Sequence, residues 1–273
     1  MIKIAAMIGA PDLEQETLTV YRGDLPTAFR KVAELGYDGV ELMTKDPAQL
    51  DGASIRRWLD ENHLELAGLC TGHVYGEDKL GLVDVDPAIC RQAMARLKSF
   101  VDFIATYFGE GALVNIGRSR GLGYPNEATR TQDRMEEAFR ELADYALPRG
   151  IRLVLEPITV HQANYIHTSQ DGIAMVERVN HPAFGLMLDV YHMNIEDVNI
   201  YDSFREADEH CWFIHFCDNN RKWPGSAHLD FEQIVNVLNE IGYDGYVSTE
   251  ILPWPDPDTA AQSAIESLRR CIP

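Results

Sequence analysis

Four short hydrophobic segments in the second half of the chain each end on a side chain that can bind a metal ion. Those side chains are Glu156, Asp189, His215 and Glu250. In the first segment, an apolar run leads into Glu156, and Pro157 then stops the strand. Three carboxylates and one imidazole favour Mn²⁺, Mg²⁺ or Co²⁺ over a thiolate-rich zinc site. The sequence therefore predicts a metal site if these four strand ends meet.

The charges on these side chains also argue for a cation. Three carboxylates that lie close together repel one another, which drives their pKa values upwards. A divalent cation removes that repulsion. The alternative is that each residue is an isolated polar strand end that forms capping hydrogen bonds. One residue alone does not decide between the two, but four in a repeated arrangement favour the metal site.

The surrounding elements alternate between strand and helix. Helical spacing from Leu25 ends at Gly36, and a later helix begins after Asp230. Eight such units in roughly 250 residues predict an α/β fold, a (β/α)₈ TIM barrel formed as a single domain by residues 1–273. A doubly wound open sheet is the alternative, but no Gly-x-Gly-x-x-Gly follows the first strand. In a barrel all strand ends point to one face, so the four side chains should converge.

Composition excludes some classes of function. The formal net charge is −19, which disfavours a nucleic-acid partner because phosphate backbones are bound by basic surfaces. The N-terminus enters a strand pattern directly, and no apolar run reaches the ~18 residues of a membrane span. We therefore expect a cytoplasmic protein with no membrane partner. The five cysteines form no Cys-x-x-Cys pair and are predicted to be reduced thiols.

Several motifs carry a resemblance to a known family. They are Asp189-Val-Tyr-His192-Met-Asn-Ile-Glu196, His215-Phe-Cys-Asp-Asn-Asn-Arg221, Val247-Ser-Thr-Glu250 and Gly36-Tyr-Asp-Gly-Val-Glu41. Together they resemble the sugar epimerase branch of the xylose-isomerase-like barrels. The chain looks close to the ketose 3-epimerases and closer to the 5-keto-L-gluconate epimerases.

The resemblance implies an activity and a set of roles. Glu156, Asp189, His215 and Glu250 would bind one Mn²⁺ ion, or Mg²⁺, Co²⁺ or Zn²⁺ in its place, with no organic cofactor. Glu156 and Glu250 would also be the catalytic acid/base groups, and His192 and Arg221 would hold substrate oxygens. The reaction would be epimerisation of a ketose or keto-sugar acid, by proton abstraction alpha to the carbonyl through a metal-stabilised enediolate. Two bases on opposite faces favour an epimerase over an aldose–ketose isomerase, for which one base could suffice.

Further positions are predicted to line the substrate pocket. His73 follows the third strand, and Arg118 and Arg120 follow the fourth, where they either accept an anionic group or are solvated loop charges. Residues 159–162 depart from the Asn-Arg-aromatic-Glu pattern of the epimerases, which leaves the substrate open. The alternative functions are a hydroxypyruvate isomerase or inosose dehydratase type of enzyme, and an abasic-site endonuclease-like phosphodiesterase. We also expect a homodimer or homotetramer.

Overall fold

The computed structural model describes residues 1–272. Its strands are β1 (Lys3–Gly9), β2 (Tyr21–Arg22), β3 (Gly39–Met43), β4 (Glu65–Cys70), β5 (Leu113–Ile116), β6 (Arg152–Leu155), β7 (Phe184–Asp189), β8 (Cys211–His215) and β9 (Tyr246–Thr249). Its helices are α1 (Leu25–Leu35), α2 (Gly52–Glu61), α3 (Gly72–Gly76), α4 (Pro87–Tyr107), α5 (Ala128–Ala146), α6 (Ser169–Val179), α7 (Val190–Glu196), α8 (Ile200–Ala207), α9 (Phe231–Glu240) and α10 (Pro257–Leu268).

Eight of these strands form a closed parallel barrel. The sheet order is β2-β1-β3-β4-β5-β6-β7-β8-β9, and β1 also pairs with β9. The two-residue β2 pairs only with the end of β1, so it lies outside the ring. The predicted TIM barrel is confirmed. Because the strands are buried on both faces, they read as continuous apolar runs, whereas the helices that cover them are amphipathic.

The barrel interior is apolar in the middle of the strands and polar at their carboxyl ends. One interior cluster contains Ala5, Ala67, Leu113, Val154, Met187 and Phe213. Side chains alternate between the two faces of a strand, so the residue two positions further on points the same way. Glu156 follows Val154, Asp189 follows Met187, and His215 follows Phe213 in this manner. The apolar layer thus forms a floor under the three polar side chains.

The predicted elements are present, with ends that differ by at most two residues, and the structure adds the short helices α3 and α7. α7 begins directly after Asp189, whose carboxylate accepts a hydrogen bond from the Tyr191 amide. All five cysteines are free, as predicted. Among residues 1–272, no helix has the length and apolar character needed to cross a membrane.

Candidate metal centre and active site

The four predicted ligands meet at the carboxyl ends of four consecutive strands. Asp189 and His215 are the last residues of β7 and β8, and Glu156 and Glu250 directly follow β6 and β9. Each is buried, and one ligand atom from each lies within 4.8 Å of the others. The converging strand ends predicted from the sequence are therefore present as one cluster.

The geometry around His215 fits a metal ion. Its Nδ1 lies 3.6 Å from Glu156 Oε1 and 3.5 Å from Glu250 Oε2, and it has no hydrogen-bond partner in the part of the chain that the structure describes. Ligand atoms about 2.1 Å from a common ion lie roughly 3.0–3.5 Å from one another, depending on the angle. A buried nitrogen without a partner is costly unless something binds it. The donor set, three carboxylates and an imidazole, suits a divalent cation.

Glu41, in the middle of β3, sets the orientation of His215. Its Oε2 lies 2.8 Å from His215 Nε2, and both side chains are almost completely buried. A carboxylate accepts, so the Nε2–H of His215 donates, and in the neutral ring that binds a metal ion the lone pair of Nδ1 faces the ligand cluster. Burial lowers the pKa of His215, but the nearby Glu41 and Glu250 carboxylates outweigh this and raise it well above its usual value. The same carboxylates attract a cation.

Arg221 and His192 contact the metal ligands directly. Arg221 Nη1 donates to Asp189 Oδ2 at 2.8 Å and to Glu250 Oε2 at 2.7 Å, and its Nη2 lies 3.2 Å from His192 Nε2. Burial opposes ionisation of Glu250, but Arg221 and His215 hold its pKa well below the usual range. Burial lowers the pKa of His192. Glu250 is thus held ionised, and a buried guanidinium braces the cluster.

A cavity of about 510 Å³ opens over the cluster. Glu156 and Glu250 reach its wall, whereas Asp189 and His215 are more deeply buried. The other predicted pocket residues also line it. They are His73, Arg118, His192 and Arg221. The volume lies within the usual range for small-molecule sites.

Arg120 was predicted to be either an anion site or a solvated loop charge, and both predictions are wrong. Its side chain is 1% exposed, and its guanidinium donates to the main-chain carbonyls of Gly117, Glu156, Tyr165 and Ile166. Burial lowers its pKa to about 10, so it remains charged at neutral pH. Arg120 therefore supports the backbone at Glu156 from below the cavity.

Two further residues near Glu156 were not singled out from the sequence. A Cβ on Gly117 would lie 2.3 Å from Glu156 Oε2, so only glycine leaves room for that carboxylate. Glu196, at the end of α7, accepts hydrogen bonds from the Thr159 hydroxyl at 2.7 Å and the Val160 amide at 2.8 Å. These bonds hold the segment that departs from the family pattern, in which His161 and Gln162 line the cavity.

Comparisons with known proteins agree with this geometry. The family model described as "Xylose isomerase-like TIM barrel" matches residues 29–271. A probable ketose 3-epimerase from Synechocystis sp. is 26% identical over 245 residues, which cover 88% of this chain and 83% of that protein. An L-ribulose 3-epimerase from Methylomonas sp. is 29% identical over 262 residues, covering 89% and 90% respectively.

A solved structure of an epimerase is also similar to this chain. The D-allulose 3-epimerase from Methylomonas sp., in complex with D-allulose, superposes with a TM-score of 0.80 at 26% identity, covering 98% of both chains. The relatives above are all named as epimerases. The chain therefore belongs to the family of xylose isomerase-like TIM barrels and is an enzyme of the epimerase type.

Proposed function

We propose that the protein is a divalent-metal-dependent epimerase of a ketose or keto-sugar acid, with Mn²⁺ as the ion. One observation carries the proposal: the buried set of Glu156, Asp189, His215 and Glu250 beneath a cavity of small-molecule size. Oxygen-rich sets of this kind suit hard divalent cations. The relatives named as ketose 3-epimerases support the same reaction class.

The two glutamates act as the acid and the base. When bound, the cation supplies Lewis-acid stabilisation of the negative charge that develops on the ketone oxygen. One glutamate removes the proton from the carbon beside the carbonyl, and the other returns a proton to the opposite face. Glu156 follows β6 and Glu250 follows β9, so the carboxylates approach from the two ends of a four-strand arc.

His192 and Arg221 hold substrate oxygens in this proposal. Both line the cavity beside the metal ligands. The Nη1 of Arg221 is occupied by Asp189 and Glu250, so Arg221 fixes those carboxylates while the rest of its guanidinium faces His192. A substrate hydroxyl between these two side chains would be held next to the acid/base pair.

The test is solvent exchange at the reacting carbon. The Mn²⁺-loaded protein is incubated in D₂O with a panel of ketoses and keto-acids, and the products are analysed by NMR. We expect deuterium at the carbon beside the carbonyl, together with the epimer. Glu156→Gln and Glu250→Gln should each slow exchange about 100- to 10,000-fold, the usual contribution of a general acid or base. Glu61→Gln, on the exposed surface of α2, serves as the control.

Three outcomes would contradict the proposal. Near-normal exchange in a Glu250→Gln variant that still binds Mn²⁺ would exclude the two-base scheme. Loss of water or migration of the carbonyl would assign a dehydratase or an isomerase instead. Absence of exchange with every compound of the panel would exclude the epimerase.

A further inference from the structure

Arg118 differs from the other guanidinium group that lines the cavity. Arg221 is held by two carboxylates, whereas Arg118 has no ion pair and no side-chain hydrogen bond to any of residues 1–272. The chain contains 43 acidic and only 24 basic residues, so carboxylate partners are plentiful. Arg118 is half-buried and faces the cavity without a carboxylate partner, so its guanidinium is available to a ligand.

The Arg118 guanidinium lies beside Gly76 and His73 of α3. Its Nη1 lies 3.5 Å from the place that a Cβ on Gly76 would occupy, and His73 Nδ1 lies 3.6 Å from the same place. The guanidinium therefore packs over α3, beside His73. Along the chain, Arg118 directly follows Gly117, which packs against Glu156. Arg118 thus lies on the α3 side of the cavity. Since Arg118 and Glu156 form no ion pair, the guanidinium lies more than 4 Å from the Glu156 carboxylate oxygens.

Three of the polar groups that line the cavity are one acceptor, on His73, and two donors, on Arg118 and Tyr75. His73 Nδ1 lies 3.1 Å from the Glu77 carboxylate, which can only accept, so Nδ1 carries the hydrogen. Burial lowers the pKa of His73, and Nε2 of the neutral ring is then an acceptor for a hydroxyl. The donors are the Arg118 guanidinium and the hydroxyl of Tyr75, which also lines the cavity and has no hydrogen-bond partner within the described range. Carboxylates and phosphates match the planar fork of a guanidinium.

We propose that Arg118, assisted by the Tyr75 hydroxyl, binds an anionic group of the substrate, so that the enzyme acts on a ketose bearing a carboxylate or a phosphate. The anionic group lies at the end of the substrate away from the reacting carbon. This inference rests on the proposed function, because it concerns the substrate of the same cavity. The proposed substrate is anionic, whereas the sugars named for the relatives, L-ribulose and D-allulose, carry no charge.

The experiment compares one neutral and two anionic six-carbon probes. D-fructose, D-fructose 6-phosphate and 5-keto-D-gluconate are titrated into the Mn²⁺-loaded protein by calorimetry, and deuterium exchange is followed in parallel. We expect one of the anionic probes to bind at least 10-fold more tightly than D-fructose, and its identity distinguishes phosphate from carboxylate. Arg118→Gln should weaken that probe 10- to 100-fold more than it weakens D-fructose, because a charge-assisted pair is lost. Arg118→Lys keeps the charge but not the planar fork of the guanidinium. Its affinity for the anionic probe should lie between that of the unmodified protein and that of Arg118→Gln.

Arg91→Gln is the matched control. Arg91 also lacks an ion pair among residues 1–272, but it belongs to α4 and lines a separate cleft between α4 and α5, outside the cavity over the ligand cluster. The Arg91→Gln protein should bind all three probes with the affinities of the unmodified protein. Equal affinity for all three probes, or an equal loss for all three in Arg118→Gln, would overturn the anion site. Anion-selective binding without exchange of any ketose would instead overturn the proposed function and leave the anion site standing.

Discussion

At the scale of single residues, the decisive contact is the hydrogen bond between Glu41 and His215. The four ligands could be found from the sequence because each terminates an apolar run. Glu41 could not, because its strand continues to Met43 and its partner lies 174 residues away. The sequence feature that could have pointed to Glu41 is a glutamate inside an otherwise apolar strand. Burying such a charge without a partner would be costly, so a partner had to exist.

Glu41→Gln should weaken Mn²⁺ binding about 10-fold, and Glu41→Ala up to about 100-fold, the usual range for a carboxylate that orients a ligating histidine. The glutamine keeps an acceptor for Nε2–H but removes the negative charge, whereas alanine frees the ring to change its tautomer. Calorimetric titration of the metal-free variants measures the effect.

Glu61→Gln, at the exposed end of α2, is the control for the loss of one acidic charge. Thermal unfolding shows whether each Glu41 variant is folded before metal is added. Unchanged Mn²⁺ affinity in a folded Glu41→Ala protein would show that Glu41 does not orient His215.

At the scale of elements, Glu77 connects α3 to the loop between β1 and β2. Its carboxylate accepts hydrogen bonds from the Glu14 and Gln15 amides at 3.0 Å each, and from Lys45 at 2.8 Å. Residues 15–18 of that loop line the cavity, as do His161 and Gln162. Five-residue helices such as α3 show too little periodicity to be predicted, whereas the long capped helices were. His73 was therefore predicted as a pocket residue, but its place in a helix and its link through Glu77 to the loop were not.

Glu77→Gln should destabilise the protein by about 2 kcal/mol, since charge-assisted hydrogen bonds are replaced by neutral ones. Burial opposes ionisation of Glu77, but the Gln15 amide, Lys45 and the Glu14 amide lower its pKa to about 2. A lowered pKa means that the stabilisation is complete above the unfolded value of about 4.5 and is lost as the pH falls towards 2. Urea unfolding at pH 7, 5 and 3 should therefore show a difference between the two proteins that shrinks at pH 3.

The loosened loop should also raise KM more than it changes kcat, because the loop forms part of the cavity wall. Glu61→Gln again controls for the change in net charge. A difference in stability that does not vary between pH 7 and pH 3 would mean that the ionised form of Glu77 contributes nothing to it.

At the scale of the whole molecule, the ligands come from strands that are consecutive around the ring. β6, β7, β8 and β9 pair in order, and β9 closes the barrel onto β1. The βα alternation in eight units favoured this closure over a doubly wound open sheet, because no Gly-x-Gly-x-x-Gly follows the first strand. What the sequence does not contain is the register, which decides that Asp189 and His215 are direct neighbours. An ion bound by Glu156, Asp189, His215 and Glu250 would join four strands that must all be in place.

Mn²⁺ should therefore stabilise the folded barrel as a whole. At a free concentration of 100 times Kd, linkage gives about 2.7 kcal/mol. For a chain of this size that corresponds to a rise of roughly 5–10 °C in Tm. Scanning calorimetry after EDTA treatment, with and without added Mn²⁺, measures the shift. His215→Gln should lose most of it, whereas Glu61→Gln should keep it, which separates the centre from weak binding to a surface of net charge −19. The same shift in His215→Gln and in the unmodified protein would place the stabilising ion elsewhere than among these four side chains.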